Sequence, residues 1–88
     1  LIALQAEDHY VRVHTEAGSD LVLMRFSDAL ALVENRPGFR LHRSWWAAEA
    51  GLEAVHYTRG SGTARLAGGL EAPVSRTWYP ALKESGWG

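Results

Sequence analysis

The chain has 88 residues, of which 47% are hydrophobic and four are Trp, so the composition predicts one globular domain rather than a disordered segment. The absence of Cys excludes a disulfide framework and a thiolate metal or nucleophile site. No apolar run reaches the length of a membrane-spanning helix, and no signal-like segment opens the chain. Because the chain begins at Leu1 in a strand-like pattern, we expect residues 1–88 to be a single domain cut from a longer protein.

The charged residues are unevenly distributed, although the net charge is only −1. Residues 1–35 hold two Arg and six acidic residues, whereas residues 36–76 hold six Arg and three acidic residues. A near-neutral total argues weakly against a nucleic-acid partner. Eight of the nine cationic residues are nevertheless Arg, whose planar guanidinium suits contacts with phosphate and guanine.

The first part of the chain predicts a short strand followed by a hairpin. Residues 1–4 are apolar and residues 5–9 form a polar connection. Residues 10–15 then alternate with period two, which is typical of a half-buried strand, and residues 20–26 predict its partner. On the exposed face of the first of these strands we expect His14, and we expect the same exposure for His56 further along.

A small helix should follow the hairpin. Ser27 is a suitable N-cap and Asp28 suits a helix N-terminus. Residues 29–33 carry one apolar stripe, and the Asn-Arg-Pro-Gly sequence at 35–38 ends the helix. Because two to three turns are not stable alone, we expect this helix to lie on a sheet.

The second half predicts five more strands separated by turn residues. The corner His42-Arg43-Ser44 lies between the first two of them, in the sequence Phe-Arg-Leu-His-Arg-Ser-Trp-Trp. Gly60-Ser61-Gly62 reads as a hairpin tip. The five predicted strands span residues 39–41, 45–48, 52–59, 63–66 and 70–74.

The chain should close with a short helical segment. Ser75 can cap a helix that starts at Arg76, and Pro80 should bend or shorten it. With seven or more short strands and one small helix between the first hairpin and the rest, the pattern is mostly β.

Four segments, in this order and spacing, resemble the LytTR DNA-binding domain, which is the output domain of many bacterial response regulators. His42-Arg43-Ser44, three residues after Phe39, is similar to the family's central signature, and the later Pro-Val-Ser-Arg resembles its closing segment. The near-neutral charge and the bulky Trp45-Trp46 pair depart from the usual pattern. The four segments are IALQAEDHYVRVHT, LVLMRFSDALALV, FRLHRSWWAA and APVSRTWYPAL.

The resemblance implies an elongated body of small antiparallel sheets that binds double-stranded DNA through loops rather than a recognition helix. Matched residue by residue, it implies base contacts from His9, Arg43 and Arg76. Contacts to the DNA backbone, or support for the base contacts, would come from Tyr10, His42, Ser44 and Thr77.

The residue types suit these roles, but each has a structural alternative. The forked donors of Arg43 and Arg76 match the O6/N7 edge of guanine, yet either could be a surface Arg paired with an acidic residue such as Glu7, Glu49 or Glu71. His9 could contact a base edge or simply be solvated.

The corner itself carries the same ambiguity. His42 could bond a phosphate or hold the turn in shape, and the second role is favoured. Ser44 could satisfy a backbone N–H or touch a phosphate.

The aromatic residues leave a main rival reading, a small β module that binds protein or ligand through exposed Trp and Tyr. A weaker alternative is single-stranded nucleic acid, whose unpaired bases would stack on these rings. If Trp45 and Trp46 lie on a strand they point to opposite faces, so at least one should be in the core. The rival requires Arg43 and Arg76 to be tied to acidic residues while an aromatic patch stays open.

The remaining expectations concern what the domain needs and where it acts. No catalytic, metal-binding or cofactor-binding pattern is present, so we expect no enzyme activity, no metal and no cofactor. The resemblance implies a cytoplasmic domain that binds repeated half-sites, with a homodimer on DNA as one possible arrangement and any membrane attachment lying outside this segment.

Overall fold

The computed structural model describes residues 1–87, which form two antiparallel sheets and two helices. The larger sheet contains β1 (Ala3–Glu7), β2 (Tyr10–Thr15), β3 (Gly18–Leu23), β4 (Gly38–His42) and β5 (Trp45–Ala48). The smaller sheet contains β6 (Leu52–Thr58), β7 (Ser61–Leu66) and β8 (Leu70–Ser75). The helices are α1 (Phe26–Leu32), between the two hairpins of the larger sheet, and α2 (Tyr79–Glu84), near the C-terminus.

The predicted mostly β fold is confirmed. The strands of the larger sheet lie in the order β3-β2-β1-β5-β4, and those of the smaller sheet lie in the order β6-β7-β8. The body measures 34 × 24 × 23 Å and is therefore slightly elongated. Among the described residues, no helix is long and apolar enough to cross a membrane.

Two groups of buried side chains lie on opposite faces of the larger sheet. On one face α1 packs against Leu4, Val11 and Trp46. On the other face the smaller sheet and α2 pack against Trp45 and Leu41. The prediction that the two neighbouring Trp side chains point to opposite faces is thus confirmed, and both are buried.

The predicted start of α1 is wrong. The N-cap is Arg25 rather than Ser27, and it makes no side-chain capping bond. Phe26 is the first helical residue, because its ring packs beside the buried group under the helix. Burial of an aromatic ring outweighs the preference of a hydroxyl for the cap position.

The predicted start of the C-terminal helix is also wrong. Ser75 is the last residue of β8, and three turn residues separate it from α2, whose N-cap is Trp78. Pro80 lies in the first turn of the helix, where the missing N–H removes no internal hydrogen bond. Proline therefore starts this helix instead of bending it.

Several strand boundaries differ from the predicted ones. β1 continues through the polar residues Gln5–Glu7, because they pair with β2. β3 begins earlier than predicted and ends at Leu23. The hairpin tip of the smaller sheet is Arg59-Gly60, with Ser61 and Gly62 already in β7. Both tip residues have positive φ, as a two-residue hairpin turn of type I′ requires.

Candidate nucleic-acid interface

The β1–β2 turn and the β4–β5 turn lie side by side at one end of the larger sheet. β1 pairs with β5 so that Gln5 lies opposite Trp45, and the Ala6 N–H donates to the Ser44 carbonyl over 2.8 Å. The antiparallel register therefore brings His9 and Arg43 to the same edge, although 34 positions separate them in the sequence.

A third turn, between β8 and α2, joins this end through Arg40. The Arg40 guanidinium carbon lies 4.3 Å from the centroid of the Trp78 ring, and Nη2 donates to the Arg43 carbonyl over 3.1 Å. We call these three turns the turn surface. It consists of residues 8–9, 43–44 and 76–78.

The β1–β2 turn leaves His9 free to face solvent. Asp8 adopts a φ of 54°, in the left-handed region where Asp is among the better tolerated residues. His9 is exposed and lines a cleft of about 420 Å³ together with Arg25 and Phe26. Tyr10, the first residue of β2, is also exposed, at 44%.

Glu7, next to this turn, is already engaged by a neighbouring strand. Its carboxylate accepts a hydrogen bond from the Arg12 Nε over 2.6 Å. This bond from Arg12 lowers the pKa of Glu7 and raises the pKa of Arg12. Glu7 therefore neutralises Arg12 rather than Arg43 or Arg76.

A β-bulge shapes the β4–β5 turn. The register shifts between Arg40 and His42, so the strand gains an extra residue and bends just before the turn. His42 Nδ1 accepts the Ser44 backbone N–H over 3.2 Å and lies 3.0 Å from the Ser44 hydroxyl. The acceptor role of Nδ1 corresponds to the tautomer in which Nε2 carries the ring proton. The side chain of Arg43 itself is exposed.

The β8–α2 turn presents Arg76 and Thr77, which are both exposed. The Arg76 guanidinium lies over Gly60, since a Cβ built on that glycine would be 3.1 Å from Arg76 Nη2. The Arg59-Gly60 hairpin tip is therefore a direct neighbour of the turn surface. Within residues 1–87, neither Arg43 nor Arg76 has a carboxylate within ion-pair distance.

His14 differs from its predicted exposure. It is half-buried, stacks on Trp45 with ring centroids 5.5 Å apart, and places Nε2 3.1 Å from the Gln5 side-chain oxygen. Burial lowers its pKa, and the positive charge of Arg12 adds to the effect. Face alternation alone did not reveal that the Trp45 ring, from another strand of the same sheet, covers this position. His56 is exposed, as predicted.

The aromatic side chains are mostly covered. Trp45 and Trp46 are buried, while Trp78 and Trp87 are half-buried. Among the described residues, Tyr10 is the only aromatic side chain that is exposed. The described part of the chain therefore has no open patch of Trp and Tyr.

Three basic residues at this end were not identified from the sequence as site residues. Arg25 lines the cleft beside His9, Arg59 forms a hairpin tip next to Arg76, and Arg40 bridges two turns. Only Arg59 carried a local signal, because it precedes a glycine at a predicted turn. The other two depend on contacts between distant segments.

The sequence profile of the LytTr DNA-binding domain family matches residues 1–87. This chain belongs to that family. A solved structure described as the LytTr DNA-binding domain of a methyl-accepting/DNA response regulator from Bacillus cereus is 19% identical to it, with a TM-score of 0.82. The match covers 96% of this chain and 78% of the Bacillus chain. No curated protein sequence matches.

The LytTr assignment agrees with the fold derived from the residues. The structural match, at its low identity, supports the shared architecture, and the family match identifies the domain as a DNA-binding one. Within residues 1–87 no three His, Asp or Glu side chains come together as metal ligands would. The turn surface presents guanidinium, imidazole and hydroxyl groups at one end of the domain.

Proposed function

We propose that this LytTr domain binds double-stranded DNA sequence-specifically through the turn surface, as the cytoplasmic output domain of a bacterial transcriptional regulator. The proposal rests on the exposure of Arg43 and Arg76 and on their lack of acidic partners. Both guanidinium groups are exposed and lack a carboxylate partner within residues 1–87, and their turns are joined through Arg40. Two unpaired Arg on short, fixed turns are suited to bidentate contacts with guanine.

The other residues of the turn surface, and the strand residues Tyr10 and His42 next to it, divide into base contacts and supporting contacts. His9 reaches a third base edge, from an exposed position next to a cleft. Tyr10 and Thr77 contact DNA phosphates. His42 and Ser44 hold the β4–β5 turn in shape, and the Nε2–H of His42 is available to the DNA backbone. Such contacts set the register of the domain on DNA and make binding salt-dependent.

A domain of this size covers about one half-site, so two copies would occupy a repeated pair of half-sites. The rival reading, an aromatic interaction module, loses support because most Trp and Tyr side chains are covered. Exposed aliphatic residues do occur on the edge strand β3, where Leu21 and Leu23 are 47% and 72% exposed. They offer a surface for protein contact, including contact with a second copy.

The test is fluorescence anisotropy with duplexes enriched from genomic fragments, measured at two salt concentrations. We expect binding that prefers the enriched sequence and weakens with salt. Arg43→Ala and Arg76→Ala should each reduce the preference, by an amount equivalent to about 1–3 kcal/mol per lost base contact. Arg65→Ala is the matched control, because Arg65 is exposed on β7 and lies 3.7 Å from Glu53.

The outcomes separate the parts of the proposal. Unchanged preference in both variants would leave DNA binding in place but contradict the assignment of the base contacts. Absence of duplex binding at low salt, even with the domain fused to a dimerising partner, would reject DNA binding and favour the interaction module.

A further inference from the structure

Arg40 occupies an unusual position for a basic residue. It lies on β4 opposite Trp46, is half-buried, and sits between two aromatic rings. Its guanidinium carbon is 4.3 Å from the Trp78 centroid and 5.5 Å from the Phe26 centroid. One ring begins α1 and the other precedes α2, so the two helices and β4 meet at this side chain.

The polar contacts of Arg40 go to the backbone of the β4–β5 turn. Nη2 donates to the Arg43 carbonyl over 3.1 Å and to the His42 carbonyl over 3.4 Å. Nε is buried and has no hydrogen-bond partner among the described residues. Burial also lowers the pKa of Arg40. The Nη2 edge of the guanidinium is therefore directed at the carbonyls of the β4–β5 turn.

These contacts require the shape of Arg and not only its charge. A planar guanidinium can stack on aromatic rings while its edge donates hydrogen bonds, whereas an ammonium is a compact, strongly hydrated point charge. An Arg that served to bind phosphate would be expected in an exposed position, such as that of Arg59 at its hairpin tip.

We infer that Arg40 is a positioning residue for DNA recognition, which fixes Arg43 by holding the carbonyls of its turn and ties that turn to Arg76 through Trp78. This inference rests on the proposed function of the turn surface. Loss of Arg40 should therefore reduce sequence preference without removing a phosphate contact.

The decisive measurement combines preference, salt dependence and a double-mutant cycle. Arg40→Met should lower the ratio of specific to non-specific affinity roughly tenfold, the size of one lost base contact. The slope of log affinity against log salt should stay within the error of the wild type, whereas a lost phosphate contact would reduce it by about 0.9. Adding Arg43→Ala should cause little further loss, because both changes disable the same contact.

Arg40→Lys separates shape from charge, and it also serves if Arg40→Met does not fold. It keeps the positive charge but cannot form the planar stack on Trp78. We expect it to restore at most part of the preference. The matched control is Arg65→Met, which removes an exposed guanidinium whose ion pair with Glu53 is long, at 3.7 Å. It should leave the preference unchanged.

A readout without DNA keeps this inference separate from the proposed function. In Arg40→Lys, amide hydrogen exchange at Arg43 and Ser44 should accelerate, and the NMR signal of the Trp78 indole should shift. Both changes are expected even if the wild-type domain recognises no duplex. If both changes occur but the wild-type domain binds no duplex, the proposed function is rejected and the contact of Arg40 with the turn is still supported.

Three results would overturn the role of Arg40. The first is a preference that Lys restores fully. The second is a salt slope reduced by a whole phosphate contact. The third is unchanged exchange at Arg43 and Ser44 in both Arg40 variants.

Discussion

Gly60 lies next to the Arg76 guanidinium, and its backbone conformation favours glycine. Its φ of +88° lies in the left-handed region, and a Cβ there would meet Arg76 Nη2 at 3.1 Å. Gly68 has a similar φ of +78° but nothing within 4 Å of an added Cβ. Alanine at either position therefore carries the backbone cost of a positive φ, but only at Gly60 does its methyl group also meet the Arg76 guanidinium.

Gly60→Ala and Gly68→Ala should each lower the free energy of unfolding by about 1–2 kcal/mol, because both force alanine into the left-handed region. Only Gly60→Ala should also reduce the sequence preference on DNA, since only there does the methyl group displace Arg76. Urea unfolding and anisotropy measure the two effects. Equal loss of preference in both variants would mean that general destabilisation, and not Arg76, is responsible.

His14 should make stability depend on pH. Its folded pKa is lowered by burial, so the unfolded chain takes up a proton at a higher pH than the folded one does. Its contribution is thus fully present above about pH 6.5 and is lost as the pH falls through the folded pKa. Charged neighbours are Arg12, which reinforces the shift, and Glu7, which opposes it.

His14→Phe keeps a ring against Trp45 and should flatten the fall in unfolding free energy between pH 7 and pH 5. His56→Phe is the control, because His56 is exposed and should leave the fall in place. Urea titrations at four pH values would decide, and an unchanged fall in His14→Phe would assign the effect to other groups.

At the scale of elements, the N-cap of α1 is a residue that helix stability alone would not favour. Arg25 has the extended backbone of an N-cap, with φ −74° and ψ 146°, but makes no side-chain capping bond. Ser at this position could accept a hydrogen bond from the first turn. The arginine is better explained by its place beside His9 in the cleft at the turn surface.

Arg25→Ser should therefore raise the free energy of unfolding by about 1 kcal/mol and weaken DNA binding at low salt. Thermal melting and anisotropy measure both properties in one variant. A more stable protein with unchanged affinity for DNA would show that Arg25 does not face the duplex. An unchanged free energy of unfolding would show that a serine at this position does not accept a hydrogen bond from the first turn of α1.

Elements also show how far the sequence alone could reach. Period-two alternation predicted β2, and the Trp45-Trp46 pair indicated two faces of a strand with at least one Trp in the core. The second buried group was not predicted. The helix starts were missed because burial of Phe26 and the turn before Trp78, both tertiary effects, set them. Local patterns also could not distinguish two possible hairpin tips that share Gly60.

The site was predictable in part. The three turns could be identified from motif and spacing, and the structure places them at one end. Arg40 was not predictable, because its role depends on two rings that lie 14 positions before it and 38 after it in the sequence. Whether the named side chains touch bases stays a prediction for the DNA experiments.

At the scale of the whole molecule, the net charge of −1 is compatible with DNA binding because the cations are concentrated. Arg25, Arg43, Arg59 and Arg76 lie at or beside the turn surface, while Arg12 is neutralised by Glu7. A local positive field can steer a duplex even when the total charge is near zero.

Arg59→Ala should lower the salt slope of DNA binding by about 0.9 while sequence preference stays unchanged, since a hairpin-tip Arg would contact phosphate only. Arg36→Ala removes the same charge near the start of β4, at the opposite end of that strand, and should change neither quantity. Anisotropy across a salt series checks both. A similar slope change in the two variants would point to a diffuse charge effect instead of a contact.

The two cores contain none of the three proposed base-contacting residues. His9, Arg43 and Arg76 are all exposed, whereas the buried groups are formed by strands and helices behind them. Substitutions at these three positions should therefore leave folding nearly intact, as exposed substitutions usually do. If the turns read the bases, a domain of this kind could take up a new operator sequence through substitutions in its turns alone. A change at Arg40, Phe26 or Trp78 would instead disturb every such set of contacts, because these three side chains meet behind the turns.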